Sequence, residues 1–312
     1  MNGLLIVDKP AGITSHDAVM RVRRITRETK VGHTGTLDPF ATGVLVALVG
    51  RATRLAQFLS GAEKEYRAVI RLGYATNTGD LTGARLGGEI RKSSSWADEE
   101  IEAALLSLCG EIEQVPPMFS AKKIQGQRLY EMAREGIEVE RKAVRVHVYE
   151  FEAKRTDGAL LKRNSDGTLD LNVRVVCSAG TYVRTLAESL GERLGVGAHL
   201  ASLRRTRAGA FKISEAKTLE ELENIARRNE ISKILISTDA ALSALPFMHL
   251  TDEETRKALN GLPVRVPHAL EERWPEGQWV RMRDRQSNLI AVGLYRSASC
   301  DVHPRVVLSP EK

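Results

Sequence analysis

The chain has little cysteine and no long apolar run. Its 312 residues include three cysteines, Cys109, Cys177 and Cys300, widely spaced and without a Cys-x-x-Cys pair. Neither a disulfide framework nor a thiolate metal site is expected, and a reducing, cytoplasmic setting fits this usage. The longest uninterrupted apolar stretch is about residues 44–49, far short of the ~20 residues that cross a bilayer. The opening Met1-Asn2-Gly3-Leu4-Leu5-Ile6-Val7-Asp8 has no basic leader and no cleavage pattern, so it reads as a first strand rather than a signal peptide. Internal repeats and low-complexity segments are also missing.

Hydrophobic residues make up 42% and charged residues 28%, the proportions of a globular protein with one large domain, or a large and a small one. The net charge is +6, a moderate signal for a polyanionic partner. Its distribution says more. Basic residues gather at 21–27, 122–145 and 204–207, and acidic ones at 98–102 and 215–223. Segregated charge lets one face lie on phosphates while another stays solvated.

The richest stretch is Gly32-His33-Thr34-Gly35-Thr36-Leu37-Asp38-Pro39-Phe40-Ala41-Thr42-Gly43. Its glycines permit positive φ and close approach, so it is neither an ordinary helix nor a central strand. Pro39 pushes Asp38 out of the α region and fixes it at the rim of a turn. The apolar run that follows can anchor this loop in a core, a common way to present a reactive group.

Around this loop the periodicities predict a mixed set of elements. Thr14 and Asp17 have capping-box spacing before a helix with Ala18, Val22 and Ile25 on one face. Residues 52–59 read as a helix, and 65–72 as a strand with Tyr66, Ala68, Ile70 and Leu72 on one side. A helix capped at 95–98 follows, then a Pro116-Pro117 stretch that cannot be helical, and a basic helix within 126–136. Strands are expected at 144–151 and 169–177 with a hairpin signal at Asn164-Ser165-Asp166-Gly167. Next come a helix over 181–194, a basic strand over 203–211 and a helix over 219–225. From Leu245-Pro246 the texture changes to short strands at 279–283, 289–295 and 306–308. The fold class is α+β, a mixed, largely antiparallel sheet flanked by helices, with a small β-rich domain at 245–312 after a larger one at 1–240.

Five ordered motifs resemble those of the TruB family of tRNA pseudouridine synthases: Leu5-Ile6-Val7-Asp8-Lys9-Pro10-Ala11-Gly12-Ile13-Thr14-Ser15; the Asp38 loop; Lys64-Glu65-Tyr66-Arg67; Val115-Pro116-Pro117-Met118-Phe119-Ser120-Ala121; and Cys177-Ser178-Ala179-Gly180-Thr181-Tyr182-Val183-Arg184, continuing to Leu203-Arg204-Arg205. The resemblance covers roughly residues 3–212 and implies the pseudouridine synthase fold. It also implies a uridine in the T-loop of tRNA, position 55, as substrate. By the same resemblance Asp38 is the nucleophile, Arg184 its cationic partner, and Tyr66 stacks on the base or moves a sugar proton. Tyr182 and Leu203 then line the pocket, His33 enters the RNA loop, and Lys9 supports the catalytic loop. Residues 114–145 resemble an RNA-gripping insert, and the tail a PUA-like RNA-binding domain.

The chemistry agrees with these residue types. Uridine isomerisation breaks an N-glycosidic bond, turns the uracil and rejoins it through carbon, which calls for no cofactor and no metal. A single carboxylate can attack covalently or stabilise charge at the sugar; attack on base, attack on sugar and a glycal route all remain open. An enclosed aspartate stays ionised only beside a cation, and a guanidinium can pair with it through two bonds. The expected partner is tRNA, with no membrane, no guide RNA and a monomeric enzyme. Alternatives are an RNA chaperone and a guide-dependent synthase.

Overall fold

The alternating run around Tyr66 becomes the middle of the molecule. In the computed structural model, which describes residues 1–87, 96–120, 122–124, 126–137, 139–267 and 274–308, the Lys64–Leu72 strand buries Tyr66, Ala68, Ile70 and Leu72. It is paired on both sides, antiparallel to Leu169–Cys177 and to Ala198–Ala208. Among the described residues its sheet has eleven strands. The main path runs Lys217–Thr218, Gly3–Lys9, Thr42–Val49, Ala198–Ala208, Lys64–Leu72, Leu169–Cys177, Val144–Ala153 and Gly110–Gln114. Two of these junctions are parallel, at either end of the Gly3–Lys9 and Thr42–Val49 pair, and the rest antiparallel. The α+β class and mixed, largely antiparallel sheet are as expected.

Gly3–Lys9 and Thr42–Val49 read as continuous apolar runs because both their faces are covered. Leu5, Val7, Leu45 and Ala47 point into the main core, beneath the Ser15–Thr26 helix; Leu4, Ile6, Val44 and Val46 point into a second cluster with Ala52 and Phe211. The Thr14–Asp17 capping box forms as its spacing predicts.

Phe247–His249, Trp279–Arg283, Leu289–Arg296, Asp301–Val307 and Val264–Arg265 form a second, five-stranded sheet. It has its own core around Met248, Met282 and Tyr295. A further cluster joins it to the rest of the chain, with Leu289, Val292 and Val306 against Leu55 and Leu242. Asp239 accepts hydrogen bonds from Arg281 (3.0 Å) and from Arg283 (2.7 and 2.6 Å), which fastens the two parts together. Among the described residues no helix is long and apolar enough to cross a membrane.

Several element boundaries differ from expectation. The 52–59 stretch is a 3₁₀ turn, Gly50–Leu55, running into one α-turn, Ala56–Leu59. The basic strand starts at Ala198, where Gly197 lies so close to the Tyr74–Ala75 backbone that a Cβ would come within 2.4 Å of it. The last strand, Asp301–Val307, begins earlier than periodicity suggests because Pro304 interrupts the pattern; the ladder accommodates it with a register shift beside Gly293. Between the two strands expected at 144–151 and 169–177 the fold adds a short strand, Leu161–Arg163, just before the hairpin signal. The tail includes a helix, Asp252–Leu259, signalled by a Thr251–Glu254 capping box. Ser95 and Ala121 of the expected cap and motif lie outside the described residues, as does the end of the tail, 309–312.

Candidate active site

The Asp38 loop is held from below by the segment that ends the first strand. Ser15 Oγ accepts from the Leu37 N–H at 2.8 Å and donates to the Leu37 carbonyl at 3.0 Å. Lys9 is fully buried, and its ammonium donates to the carbonyls of Pro10 (2.8 Å), Ile13 (2.8 Å) and Pro39 (3.3 Å). The Gly12 N–H also reaches the Pro39 carbonyl, at 2.9 Å. The first two motifs of the sequence are thus one structural unit. At the far end Gly43 has φ +102°, and a Cβ there would fall 2.2 Å from the Arg205 carbonyl oxygen. Only glycine fits.

Asp38 meets Arg184 through both oxygens: Nε lies 2.9 Å from Oδ2, and Nη2 donates to Oδ1 at 3.1 Å. Arg184 opens the Val183–Arg193 helix, and 4% of its side chain is exposed, against 30% for Asp38. The pair is therefore anchored on the arginine side and open on the carboxylate side. Two carbonyls fix the guanidinium further: Thr78 accepts from Nη1 at 2.8 Å and Phe119 from Nη2 at 2.7 Å. The loop carrying Thr78 and the Pro116-Pro117 stretch that leads to Phe119 converge on this one side chain. Such a bidentate, carbonyl-anchored fork holds a carboxylate in a single orientation.

Asp38 borders a cavity of about 250 Å³ shared with Tyr66, Tyr182, Arg184 and Leu203. His33 and Lys9 stand outside its lining. His33 Nδ1 accepts from the Gly35 N–H at 3.2 Å, at the base of the loop, and Lys9 lies beneath it. Tyr182 is placed by Gln114, which bonds both its N–H (3.0 Å) and its carbonyl (3.3 Å). A larger groove, about 540 Å³, runs between the Ser15–Thr26 and Leu219–Arg227 helices. It contains none of these residues.

Burial pushes the Asp38 carboxyl above the usual aspartate range; Arg184 works against this, and Asp80 adds to it. The cation is thus what makes an ionised Asp38 accessible. Burial also raises the Tyr66 phenol, with the Arg205 guanidinium beside it acting in the opposite direction. Lys9 is lowered to about 8, chiefly by burial, with Asp38 acting to raise it. His33 is lowered by burial and by Arg205.

Sequence reasoning gave no role to four residues that build this site. Arg205 is 2% exposed and donates to the carbonyls of Val44 (2.7 Å), Thr36 (3.3 Å) and Gly35 (3.0 Å). Its neighbour Arg204 points the other way, to Asp8. Strand alternation separates the two, and that signal was available in the motif. Lys64 and Ser120 also line the cavity, and the buried Ser120 hydroxyl has no hydrogen-bond partner among the described residues. Ser15 stood in the first motif with only its place in the pattern to recommend it.

Comparison with known proteins gives the family. Residues 23–183 match the TruB family pseudouridylate synthase N-terminal domain, and residues 184–243 the tRNA pseudouridylate synthase B C-terminal domain. The chain belongs to the TruB family. Among curated relatives, tRNA pseudouridine synthase B of Geobacillus thermodenitrificans is 46% identical over 272 residues, 87% of this chain and 88% of that protein. The Solibacter usitatus protein of the same name is 38% identical over 99% of this chain and 100% of its own. Among solved structures, the archaeal box H/ACA sRNP Nop10-Cbf5 complex contains a chain with a TM-score of 0.70 and 26% identity, covering 99% of this chain and 88% of that one. As a TruB family member the chain is an enzyme of the isomerase type, and Asp38 and Arg184 fall in the matched domains on either side of their boundary.

Proposed function

We propose that this chain is a stand-alone tRNA pseudouridine synthase that converts the T-loop uridine at position 55 into pseudouridine, with Asp38 as the reactive carboxylate. The observation that carries the assignment is the two-bond Asp38–Arg184 pair at the wall of a cavity lined by Tyr66, Tyr182 and Leu203. The N1–C1′ bond breaks, the uracil turns, and a C5–C1′ bond forms; the proton lost from C5 is balanced by one gained at N1. Each route open to the carboxylate starts from an ionised Asp38 held beside the glycosidic bond, and Arg184 supplies the charge that keeps it so.

The uridine reaches this cavity by leaving its stack, at a cost of a few kcal/mol. Tyr66 then stacks on the base, Leu203 and Tyr182 confine it, and His33, at the loop base, fills the space left in the RNA. Lys9 acts through the loop rather than on the RNA. Residues 114–145 grip the stem-loop, and the second sheet is a small PUA-like domain that adds contacts to tRNA. The enzyme acts as a cytoplasmic monomer without a guide RNA.

The test is to incubate the purified chain alone with an unmodified tRNA transcript and map pseudouridine at single-nucleotide resolution. Product confined to the T-loop uridine, and lost in Asp38→Asn, is the expected result. Tight binding without product would overturn the assignment in favour of an RNA chaperone or a guide-dependent enzyme.

A further inference from the structure

Among the described residues, two buried cations line the cavity without a carboxylate to balance them. Lys64, 8% exposed, donates to the carbonyls of Ser60 (3.1 Å) and Ala62 (2.7 Å). Arg205 faces three loop carbonyls. Among the described residues neither has a carboxylate within ion-pair distance, because the neighbouring acids are engaged elsewhere. Glu63 pairs with Arg207, Glu65 with Arg174, Asp8 with Arg204, and Asp38 with Arg184. An enclosed charge without a counter-charge is costly, and proteins retain one where a ligand completes it.

Donor accounting shows that both can take a ligand. An ammonium has three N–H bonds and a guanidinium five. The two carbonyls on Lys64 and three on Arg205 leave unused donors on each. The cations also flank one point: a Cβ on Gly35 would lie 3.3 Å from Lys64 Cε and 3.7 Å from Arg205 Nη1. Glycine keeps that approach open. Arg205 is in strand register with Tyr66 and Lys64 opens the same strand, so the spacing between the cations and the stacked base is fixed by the sheet.

We infer that Lys64 and Arg205 form an anion site on the cavity wall that binds a phosphodiester oxygen of the RNA adjoining the flipped uridine. A phosphodiester brings a permanent charge, whereas neutral uracil would leave both cations unbalanced in the bound ground state. The inference rests on the RNA-modifying reading given above and adds to it the group that holds the flipped nucleotide by its backbone.

The experiment uses the full chain and T-stem-loop RNAs with one neutral methylphosphonate linkage, placed 5′ or 3′ of the target uridine. Affinity and single-turnover rate are measured for the wild type, Lys64→Gln and Lys64→Arg; Arg205 is left intact because it also holds the loop. A neutral linkage on one side should weaken wild-type binding about tenfold, and Lys64→Gln should weaken binding to unmodified RNA by about the same factor, with a salt dependence shallower by about one unit. The two changes together should be no worse than either alone, and Lys64→Arg should restore affinity. Additive losses at both linkages would overturn the inference, as would a slower rate at unchanged affinity, which would place the charge on the base instead. If the wild type binds but makes no pseudouridine, the enzymatic reading fails while the affinities still decide the anion site.

Discussion

Ser15 Oγ bonds both the N–H and the carbonyl of Leu37, the residue before Asp38. One hydroxyl thus completes the backbone of the loop from the opposite side of a 22-residue gap. Ser15→Ala leaves two buried peptide groups unpaired, each costing about 1–3 kcal/mol. The expected outcome is a lowered melting temperature and a kcat that falls more than KM rises, since the carboxylate loses its fixed position. Calorimetry and steady-state kinetics on the tRNA transcript check it; unchanged kcat would show that Lys9, Gly12 and Arg205 hold the loop without Ser15.

The raised Asp38 carboxyl sets a pH dependence. Activity needs the ionised form, so the acidic limb of kcat should lie above that of an ordinary aspartate, and Arg184→Gln should move it to still higher pH. The folded state holds this proton more tightly than the unfolded one. Its contribution to stability is therefore present at low pH and lost as pH rises through the folded pKa. Denaturation of the wild type and Asp38→Asn from about pH 4 to 7 should show the difference shifting steadily in favour of the variant. A shift in favour of the wild type would mean that Asp38 is a depressed, purely structural carboxylate.

Arg184→Lys keeps the charge but cannot reach Asp38 through two bonds while also serving the Thr78 and Phe119 carbonyls. A loss of roughly 10²–10³-fold in kcat is expected, the usual effect of removing one preorganised donor. Single-turnover rates separate this from binding. A fully active lysine variant would show that charge alone suffices.

Gly43→Ala forces a side chain into the Arg205 backbone at a positive φ. Strain and overlap together should cost roughly 2–4 kcal/mol. Urea denaturation measures it, and a loss below about 0.5 kcal/mol, typical of a neutral surface substitution, would show that the loop shifts freely.

Asp239 fastens Arg281 and Arg283 of the second sheet. Deleting the tail would bare Leu55 and Leu242, so Asp239→Ala is the cleaner probe of docking. Hydrogen exchange in 279–283 should rise, stability should fall by about 1–3 kcal/mol, and tRNA affinity should drop more than the chemical step. Equal loss of both would tie the second sheet to catalysis.

The sequence by itself determined the elements and the chemical inventory. Alternation fixed the Lys64–Leu72 and Leu169–Cys177 strands, the Thr14–Asp17 box fixed a helix start, and the Gly/Pro pattern fixed a rigid loop with an aspartate at its rim. These signals are local, carried by backbone propensity and side-chain period. Tertiary structure decided how the inventory is wired. Asp38 and Arg184 meet across 146 residues of chain, Arg205 and Gly35 across 170, and no periodicity encodes such pairings. Burial decided the rest. It gave Lys9 the three loop carbonyls it clamps, left Lys64 and Arg205 without a carboxylate partner among the described residues, and raised Asp38. The cost of removing a charge from water depends on what the fold places around it, and that is settled only once the strands have found their register.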